Sequence, residues 1–331
     1  MENKLSRRKF LNTALAATAM AALPFNYGFK SFASGVMGAK PDSKFGGVQI
    51  GAITYSWRSM PGTPKDIINY CIQAGISSLE LMGNVAEDYL GIPASPARLP
   101  RDITPTQEQK EAYEKAAVAA TEAQRKWRLS VSMEKYADLR KMFNDAGINI
   151  HIVKFAPSNW TDEEIDYAFK ATKAMGAKGI TNEIGDEACK RLGPFAEKHK
   201  MYAIFHNHAQ PAEPGFSFDK FLAYSPSNML NFDAGHYFGC TGLHPNDLIK
   251  RLHDRIFSIH MKDKTGPKST PANTNQVWGK GEMPIADLLL LLKKEKWPIH
   301  VDIELEYEVP ADSDAAKEVG KCVEFAKKIL S

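Results

Sequence analysis

From Val48 onward the chain alternates short apolar, strand-like segments with amphipathic helical segments, about eight times in all. A typical helical segment, Lys65–Ala74, places isoleucines on one face and is followed by Gly75, a residue that commonly ends helices. Strands that alternate with helices favour a parallel sheet. Eight such units therefore predict an α/β fold of the (β/α)₈ barrel type.

Five of the predicted strands end in His, Asp or Glu. These endings carry Glu183, His206 with His208, Asp233 with His236, His260 with Lys262, and Glu304 with Glu306. Barrel strands all deliver their carboxyl ends to one face, where the active sites of such barrels lie, so we expect these side chains to converge. Burying so many ionisable groups without partners is costly, and a divalent cation would offset that cost. The pattern therefore favours a metal site over a purely structural polar network.

Residues 1–33 have the features of an export signal. Arg7 and Arg8 precede an Ala-rich apolar run, residues 14–23, which is too short to remain in a bilayer as a spanning helix. The arginine pair predicts a Tat-type signal, with an ordinary Sec-type signal as the alternative, and Ser31 to Ala33 offers a cleavage site. We therefore expect a periplasmic or otherwise exported protein that is translocated by the Tat machinery and keeps no stable membrane anchor.

Charge and composition exclude some partners. The whole chain carries a formal charge of +3, and residues 1–33 hold five Lys or Arg and one Glu, so removing this surplus of four leaves about −1. Nothing in that balance favours nucleic acid or an anionic membrane surface. The four cysteines show no close spacing, which favours free thiols over disulfides.

The remaining chain, residues 46–331, is predicted to be a single barrel domain. The alternation of strands and helices is interrupted at about 84–128, after the second strand, by a Pro-rich loop and a charged helix. Insertions on this side of a barrel often cover the active site, so we interpret this segment as a partial lid.

The chain resembles the xylose isomerase-like TIM barrels, known as sugar phosphate isomerases/epimerases and distantly related to endonuclease IV. The resemblance covers nearly all of residues 46–331. The motifs that carry it are Phe205-His-Asn-His208, Asp233-Ala-Gly-His236, His260-Met-Lys-Asp263, Gly279-Lys-Gly-Glu282 and Ile303-Glu-Leu-Glu306. By the family pattern Asp233, His260 and Glu304 are metal ligands. The usual glutamate of strand five is replaced by His206, as in a branch with His-Asn-His on that strand, and Glu183 offers a carboxylate one strand earlier.

Such a ligand set suits Mn, Co, Zn or Fe(II) better than Ca. The resemblance implies a metal-dependent isomerase or epimerase that works through an enediolate next to a carbonyl of a sugar. Export favours a non-phosphorylated sugar, although which sugar, and whether the chain forms homo-oligomers, is left open. The proton carriers are to be sought among Glu183, His208, His236 and Glu304.

Other residues are candidates for substrate binding. Lys154 and Lys262 would stabilise an oxyanion or remain rim charges, and Glu80 would bind a hydroxyl. Trp57 would stack on a sugar ring or plug the mouth of the barrel.

Three alternative functions are considered. The first is a lyase or hydratase that acts on 3-keto-glycosides with the same chemistry, and the second is a sugar-binding barrel without catalysis. The third, a phosphodiesterase of endonuclease IV type, is rejected because residues 273–279 lack its extra zinc ligands.

Overall fold

The structure, a computed structural model, describes residues 40–99 and 104–331, so the predicted export signal at 1–33 lies outside the described residues. Within this part of the chain, Lys40–Ser331 forms a compact unit that begins slightly before the predicted boundary at residue 46. Its first element is a short strand, β1 (Lys44–Phe45), which pairs antiparallel with the first strand of the barrel.

Eight parallel strands close a barrel, which confirms the predicted fold. They are β2 (Val48–Ile53), β3 (Ser78–Met82), β4 (Asn149–Lys154), β5 (Gly179–Glu183), β6 (Tyr202–His206), β7 (Asn228–Asp233), β8 (Ile256–Met261) and β11 (His300–Ile303). Each strand pairs with the next along the chain. β11 pairs with both β8 and β2, and the pairing of β2 with β3 closes the ring. A small hairpin of β9 (Asp263–Lys264) and β10 (Asn275–Gln276) follows β8.

Eleven α-helices belong to the described part of the chain. They are α1 (Pro64–Ala74), α2 (Gly83–Leu90), α3 (Gln107–Ser130), α4 (Met133–Asp145), α5 (Asp162–Ala174), α6 (Asp186–His199), α7 (Phe218–Leu222), α8 (Ala234–Thr241), α9 (Pro245–Leu252), α10 (Ile285–Glu295) and α11 (Ala315–Leu330). Their ends follow local signals. Thr63 opens α1 and Thr161 opens α5, each as part of a capping box, and Gly75 ends α1 in the left-handed conformation that glycine adopts easily.

The predicted insertion contains α2 and most of α3. α3 has no buried residue along its 24 positions, so little apolar packing holds it to the barrel. Its main anchor is Arg128, whose guanidinium lies 2.8 Å from Glu87 Oε1 and 3.0 Å from Glu164 Oε1. The same group lies 3.8 Å from the ring centre of Trp160. The insertion is therefore attached firmly at its carboxyl end.

Two further observations concern the length of the apolar helices and the state of the cysteines. None of the helices described here is both long and apolar enough to cross a membrane. The four cysteines are free thiols, and three of them are buried.

Candidate metal centre

Four side chains from four neighbouring strands converge at the carboxyl end of the barrel. His206 ends β6, Asp233 ends β7, His260 lies near the end of β8, and Glu304 directly follows β11. All four are buried, and one donor atom from each lies within 4.8 Å of the others. The strand-end pattern of the sequence predicts this convergence, because parallel strands deliver their last residues to one face.

The spacing of these donor atoms fits a divalent cation. His206 Nε2 lies 3.2 Å from Asp233 Oδ2 and 3.8 Å from Glu304 Oε2, and His260 Nδ1 lies 2.9 Å from the same glutamate oxygen. Tetrahedral ligands at zinc-like bond lengths are about 3.4 Å apart. Two imidazoles and two carboxylates in this arrangement would therefore hold Zn, Co, Mn or Fe(II) with only small adjustments.

Each imidazole of this cluster also has a carboxylate on its far side. His260 Nε2 lies 2.6 Å from Glu80 Oε2, and His206 Nδ1 lies 3.2 Å from Glu183 Oε2. Metal-binding histidines commonly donate their second N–H to a carboxylate, which fixes the ring and raises its basicity. The geometry thus favours Glu183 as a partner of His206, although the sequence offered it as a ligand.

Glu80 lies behind the cluster. It is fully buried in the middle of β3, and its oxygens accept hydrogen bonds from Thr181 Oγ1 at 2.7 Å and Asn231 Nδ2 at 2.9 Å, besides His260. This placement favours orientation of His260 over the expected contact with a substrate hydroxyl. A single acid in an otherwise apolar strand was the only sequence signal for it.

The charges of the cluster stabilise one another. Burial alone would lower the pKa of His260, but Glu304 and Glu80 raise it to about 9. The pKa of His206 is also raised, because hydrogen bonds with Asp233 and Glu183 outweigh the effect of burial. Conversely, burial opposes ionisation of Asp233, but Lys262 and His236 hold its pKa well below the usual range. Cation binding to these groups would therefore release protons.

Lys262 adds a fixed positive charge beside the cluster. Its ammonium donates to Asp233 Oδ2 at 2.8 Å, Glu304 Oε2 at 2.6 Å and Glu306 Oε2 at 2.7 Å. Gly235 makes room for this side chain, since a Cβ at that position would collide with the Lys262 stem. The predicted oxyanion-binding lysine thus lies at the cluster, and Glu306 is its third partner.

His236 lies on a helix, where the sequence predicts a strand ending. β7 ends at Asp233, whose Oδ1 caps α8 by accepting the backbone N–H of His236 at 2.6 Å. The glycine and small residues after Asp233 gave no clear helical pattern, so the sequence did not predict this short helix. The turn brings His236 back over the cluster, with Nε2 3.9 Å from Asp233 Oδ2 and 3.5 Å from Glu306 Oε2.

The Nε2 atom of His236 is buried and has no hydrogen-bond partner among the described residues. Burial lowers the pKa of this imidazole to about 4, although the negative charge of Asp233 acts to raise it. The ring is therefore neutral near pH 7 and able to accept a proton. Perturbed side chains of this kind concentrate at functional sites.

The exposed rim of the site is formed by His208, Glu183 and Lys154. Glu183 Oε2 lies 3.1 Å from His208 Nδ1, and Glu183 Oε1 lies 2.7 Å from Lys154 Nζ. The His208 ring centre is 4.9 Å from that of His236. Glu183, His208 and Lys154 are therefore brought to the same mouth as the cluster, as the sequence predicts.

Two residues stand apart from this pattern. Trp57 lies in a short 3₁₀ turn after β2 and is 1% exposed, so almost none of its ring is open to a ligand. Asn207, between the two histidines, has a role that sequence reasoning missed. Its Oδ1 accepts the backbone N–H of Asp233 at 3.0 Å and its Nδ2 donates to the Asp233 carbonyl at 3.2 Å, which ties the ends of β6 and β7 together.

The fold and the cluster together define a class, the TIM barrels with a candidate metal site at the carboxyl ends of their strands. A sequence profile described as the xylose isomerase-like TIM barrel matches residues 110–329, about two thirds of the chain. The chain belongs to this family, which confirms the resemblance stated above. A comparison with curated proteins gave no significant match.

Solved structures of similar fold come from several bacteria. One is a sugar phosphate isomerase/epimerase from Parabacteroides distasonis, with 16% identity, a TM-score of 0.55, and coverage of 86% of this chain and 96% of that one. Another is the probable 3-DHS dehydratase AsbF of petrobactin synthesis from Bacillus anthracis, with 13% identity, a TM-score of 0.56 and coverage of 84% and 98%. A third is D-allulose 3-epimerase from Methylomonas sp., with 14% identity, a TM-score of 0.51 and coverage of 86% and 98%. At these identities the similarity establishes the shared fold.

Proposed function

We propose that this chain is a divalent-metal-dependent isomerase or epimerase of a non-phosphorylated sugar. The observation that carries the proposal is the buried cluster of His206, Asp233, His260 and Glu304, with His236 beside it, whose Nε2 makes no hydrogen bond with the described residues. Family membership and the isomerase and epimerase names among proteins of the same fold support it.

The four residues of the cluster would hold the cation. When bound, a divalent ion would polarise a carbonyl and an adjacent hydroxyl oxygen of the sugar and lower the energy of an enediolate. The candidates remain Mn, Co, Zn and Fe(II), which mixed carboxylate and imidazole ligands suit.

His236 is the best-placed proton acceptor. Glu304 and Glu183 already accept two or more hydrogen bonds each, whereas His236 Nε2 makes no hydrogen bond with the described residues and only longer contacts, with Glu306 at 3.5 Å and Asp233 at 3.9 Å. As an isomerase base it would take the proton from the carbon next to the carbonyl and return it to the neighbouring carbon on the same face. In an epimerase a second group, sought among Glu183, His208 and Glu304, would supply a proton to the opposite face. His208, which lies at the rim and contacts Glu183, would exchange that proton with solvent.

Lys262 would act on the substrate oxygen. Its ammonium lies within 2.8 Å of carboxylates of the cluster, so its positive charge is fixed beside the place where an oxyanion would form. Charge that is organised in advance in this way stabilises a transition state without reorganisation.

Proton exchange at carbon tests the proposal. The full-length chain, supplied with Mn, Co or Zn, is incubated in D₂O with a panel of unphosphorylated aldoses and ketoses, and deuterium at the carbon next to the carbonyl is measured by NMR. We expect exchange together with a new isomer, and neither with Asp233→Asn. In parallel incubations with 3-keto-glycosides, exchange followed by loss of water or of the aglycone would indicate the lyase or hydratase instead. Metal binding without exchange on any sugar would refute an isomerase and leave a binding protein.

Export of the folded protein is also part of the proposal, and it is supported by the arginine pair at 7–8 and the apolar run that follows. Changing both arginines to lysine should leave the folded protein in the cytoplasm, because the Tat pathway reads the pair. Fractionation of cells that express each form measures this. Normal export of the lysine variant would point to a Sec-type signal.

A further inference from the structure

A cavity of about 500 Å³ lies at the carboxyl ends of β2 and β3. Its walls come from the turn after β2, from the start of α1, and from α2, the first helix of the insertion. Aromatic and thioether side chains form much of the lining, namely Tyr55, Trp57, Met60, Met82 and Tyr89. None of the four clustered ligands lines it. Its size is that of a small-molecule pocket, so it has room for a group other than the one held at the cluster.

A second cavity, of about 350 Å³, adjoins the first. Arg58 lines both cavities, and Glu306 lines the second. Glu306 Oε2 in turn lies 2.7 Å from Lys262 Nζ and 3.5 Å from His236 Nε2. Arg58 and Glu306 therefore lie between the aromatic pocket and His236.

The polar groups of the pocket indicate what it would bind. Arg58, whose guanidinium donates to the backbone carbonyls of Tyr55 and Leu305, lines the cavity. Asn84 and Asp88 also line the cavity, and both are exposed on α2. Asp88 balances Arg58 in charge, so the pocket has no strong preference for an anion such as a phosphate.

A ring with an apolar face and oxygen substituents matches this combination. Aromatic side chains cover the apolar face of such a ring, while N–H, amide and carboxylate groups bind its oxygens. We propose that the pocket binds the second ring of a glycoside whose first ring lies at the metal centre. The substrates would then be two-ring glycosides whose ring at the metal centre keeps a carbonyl, and the second ring would be a sugar or an aromatic aglycone. This assignment rests on the proposed function for the position of the first ring.

Binding measurements test the pocket without requiring turnover. Calorimetric titration of the metal-loaded full chain uses maltose, cellobiose and phenyl β-glucoside as two-ring probes, with glucose and methyl glucoside as one-ring probes. We expect at least one two-ring probe to bind about tenfold more tightly than the one-ring probes. The separate sugar and phenyl probes show which kind of second ring is preferred.

Three variants localise the effect. Tyr55→Ala and Tyr89→Ala remove pocket walls that are 37% and 47% exposed, and each should reduce the two-ring preference roughly three- to tenfold. Tyr202→Ala is the matched control. Tyr202 is 39% exposed but begins β6, at the opposite end of the barrel, and its loss should leave the preference unchanged.

The outcomes separate this proposal from the proposed function. A two-ring preference that falls in the Tyr55 and Tyr89 variants supports the pocket even if no sugar undergoes proton exchange, in which case only the isomerase assignment fails. Equal affinity for one-ring and two-ring probes, a preference that survives both variants, or no binding by any two-ring probe would overturn the pocket, even in an active isomerase.

Discussion

At the floor of the barrel His151 and His300 stack with ring centres 4.1 Å apart, whereas at the opposite end His206 and His260 each lie between carboxylates. At the floor, the Nδ1 atoms of both rings lie about 3 Å from the same hydroxyl, Ser78 Oγ. Both pairs are largely shielded from solvent, and all four rings come from barrel strands.

His300 at the floor and His260 at the opposite end have pKa values shifted in opposite directions. Burial and the neighbouring His151 lower the pKa of His300 to about 2, while Glu304 and Glu80 raise that of His260 to about 9 against the effect of burial. Burial is thus common to both ends, and the neighbouring carboxylates decide the sign of the shift. His151 at the floor contacts one carboxylate, Asp302, at 2.9 Å, whereas several carboxylates surround the histidines of the opposite end, so that end is the one suited to holding a cation.

The sharpest test of this difference removes a carboxylate from the cluster. Asp233→Asn should lower metal affinity by more than about a hundredfold and abolish turnover, because a neutral amide is a poor ligand for a divalent ion. Metal content by elemental analysis and turnover are measured on one preparation. The control is His300→Gln at the floor, which should keep both. A metal-replete Asp233→Asn protein would show that the cluster is not the metal site.

Loss of the proton acceptor should spare the metal. His236→Gln should retain metal and lose about 10²–10⁴ in turnover, the usual contribution of a general base. The same two measurements check it. If the variant is depleted of metal, His236 instead supports Asp233, and if it is fully active another group moves the proton.

Loss of Glu80, the carboxylate behind the cluster, should reduce metal affinity less than loss of Asp233. Glu80→Gln should weaken metal binding roughly 10- to 100-fold, because Glu80 accepts the N–H of His260 and orients the ring. Competition with a chelating dye measures the affinity. Thr181→Val, which removes one hydrogen bond to Glu80 and leaves its charge, is the matched variant and should have a smaller effect. Unchanged affinity in Glu80→Gln would contradict its role.

His300 at the floor should make the stability of the fold depend on pH. The pKa of His300 is lower in the folded chain than the value of about 6.5 in the unfolded chain, so the unfolded chain takes up the proton first as pH falls. Stability from the neutral ring is complete above pH 6.5 and is lost below it, by at most about 2 kcal/mol between pH 7 and pH 5. Urea unfolding at both pH values should show a smaller loss for His300→Gln than for the natural chain. His244→Gln, which changes an exposed histidine, should behave like the natural chain, and an equal loss in all three would contradict this account.

Much of the site could be predicted because it follows from periodicity. A strand that ends in a charged residue must present it at one face of the barrel, so His206, Asp233, His260 and Glu304 could be assigned to one centre from their positions. Glu80 could not be assigned in this way. It lies 180 residues from His260, and only closure of the barrel brings the two within 2.6 Å.

The sequence by itself therefore determined the barrel, its insertion and the face on which the ionisable residues meet, because strand and helix periods are local properties. The tertiary structure decided the rest. It placed Glu183 behind His206, turned His236 onto α8 above Asp233, surrounded Lys262 with three carboxylates, and opened an aromatic cavity between β2, β3 and α2. These features depend on distances between side chains far apart in the chain, which packing sets and no local pattern records.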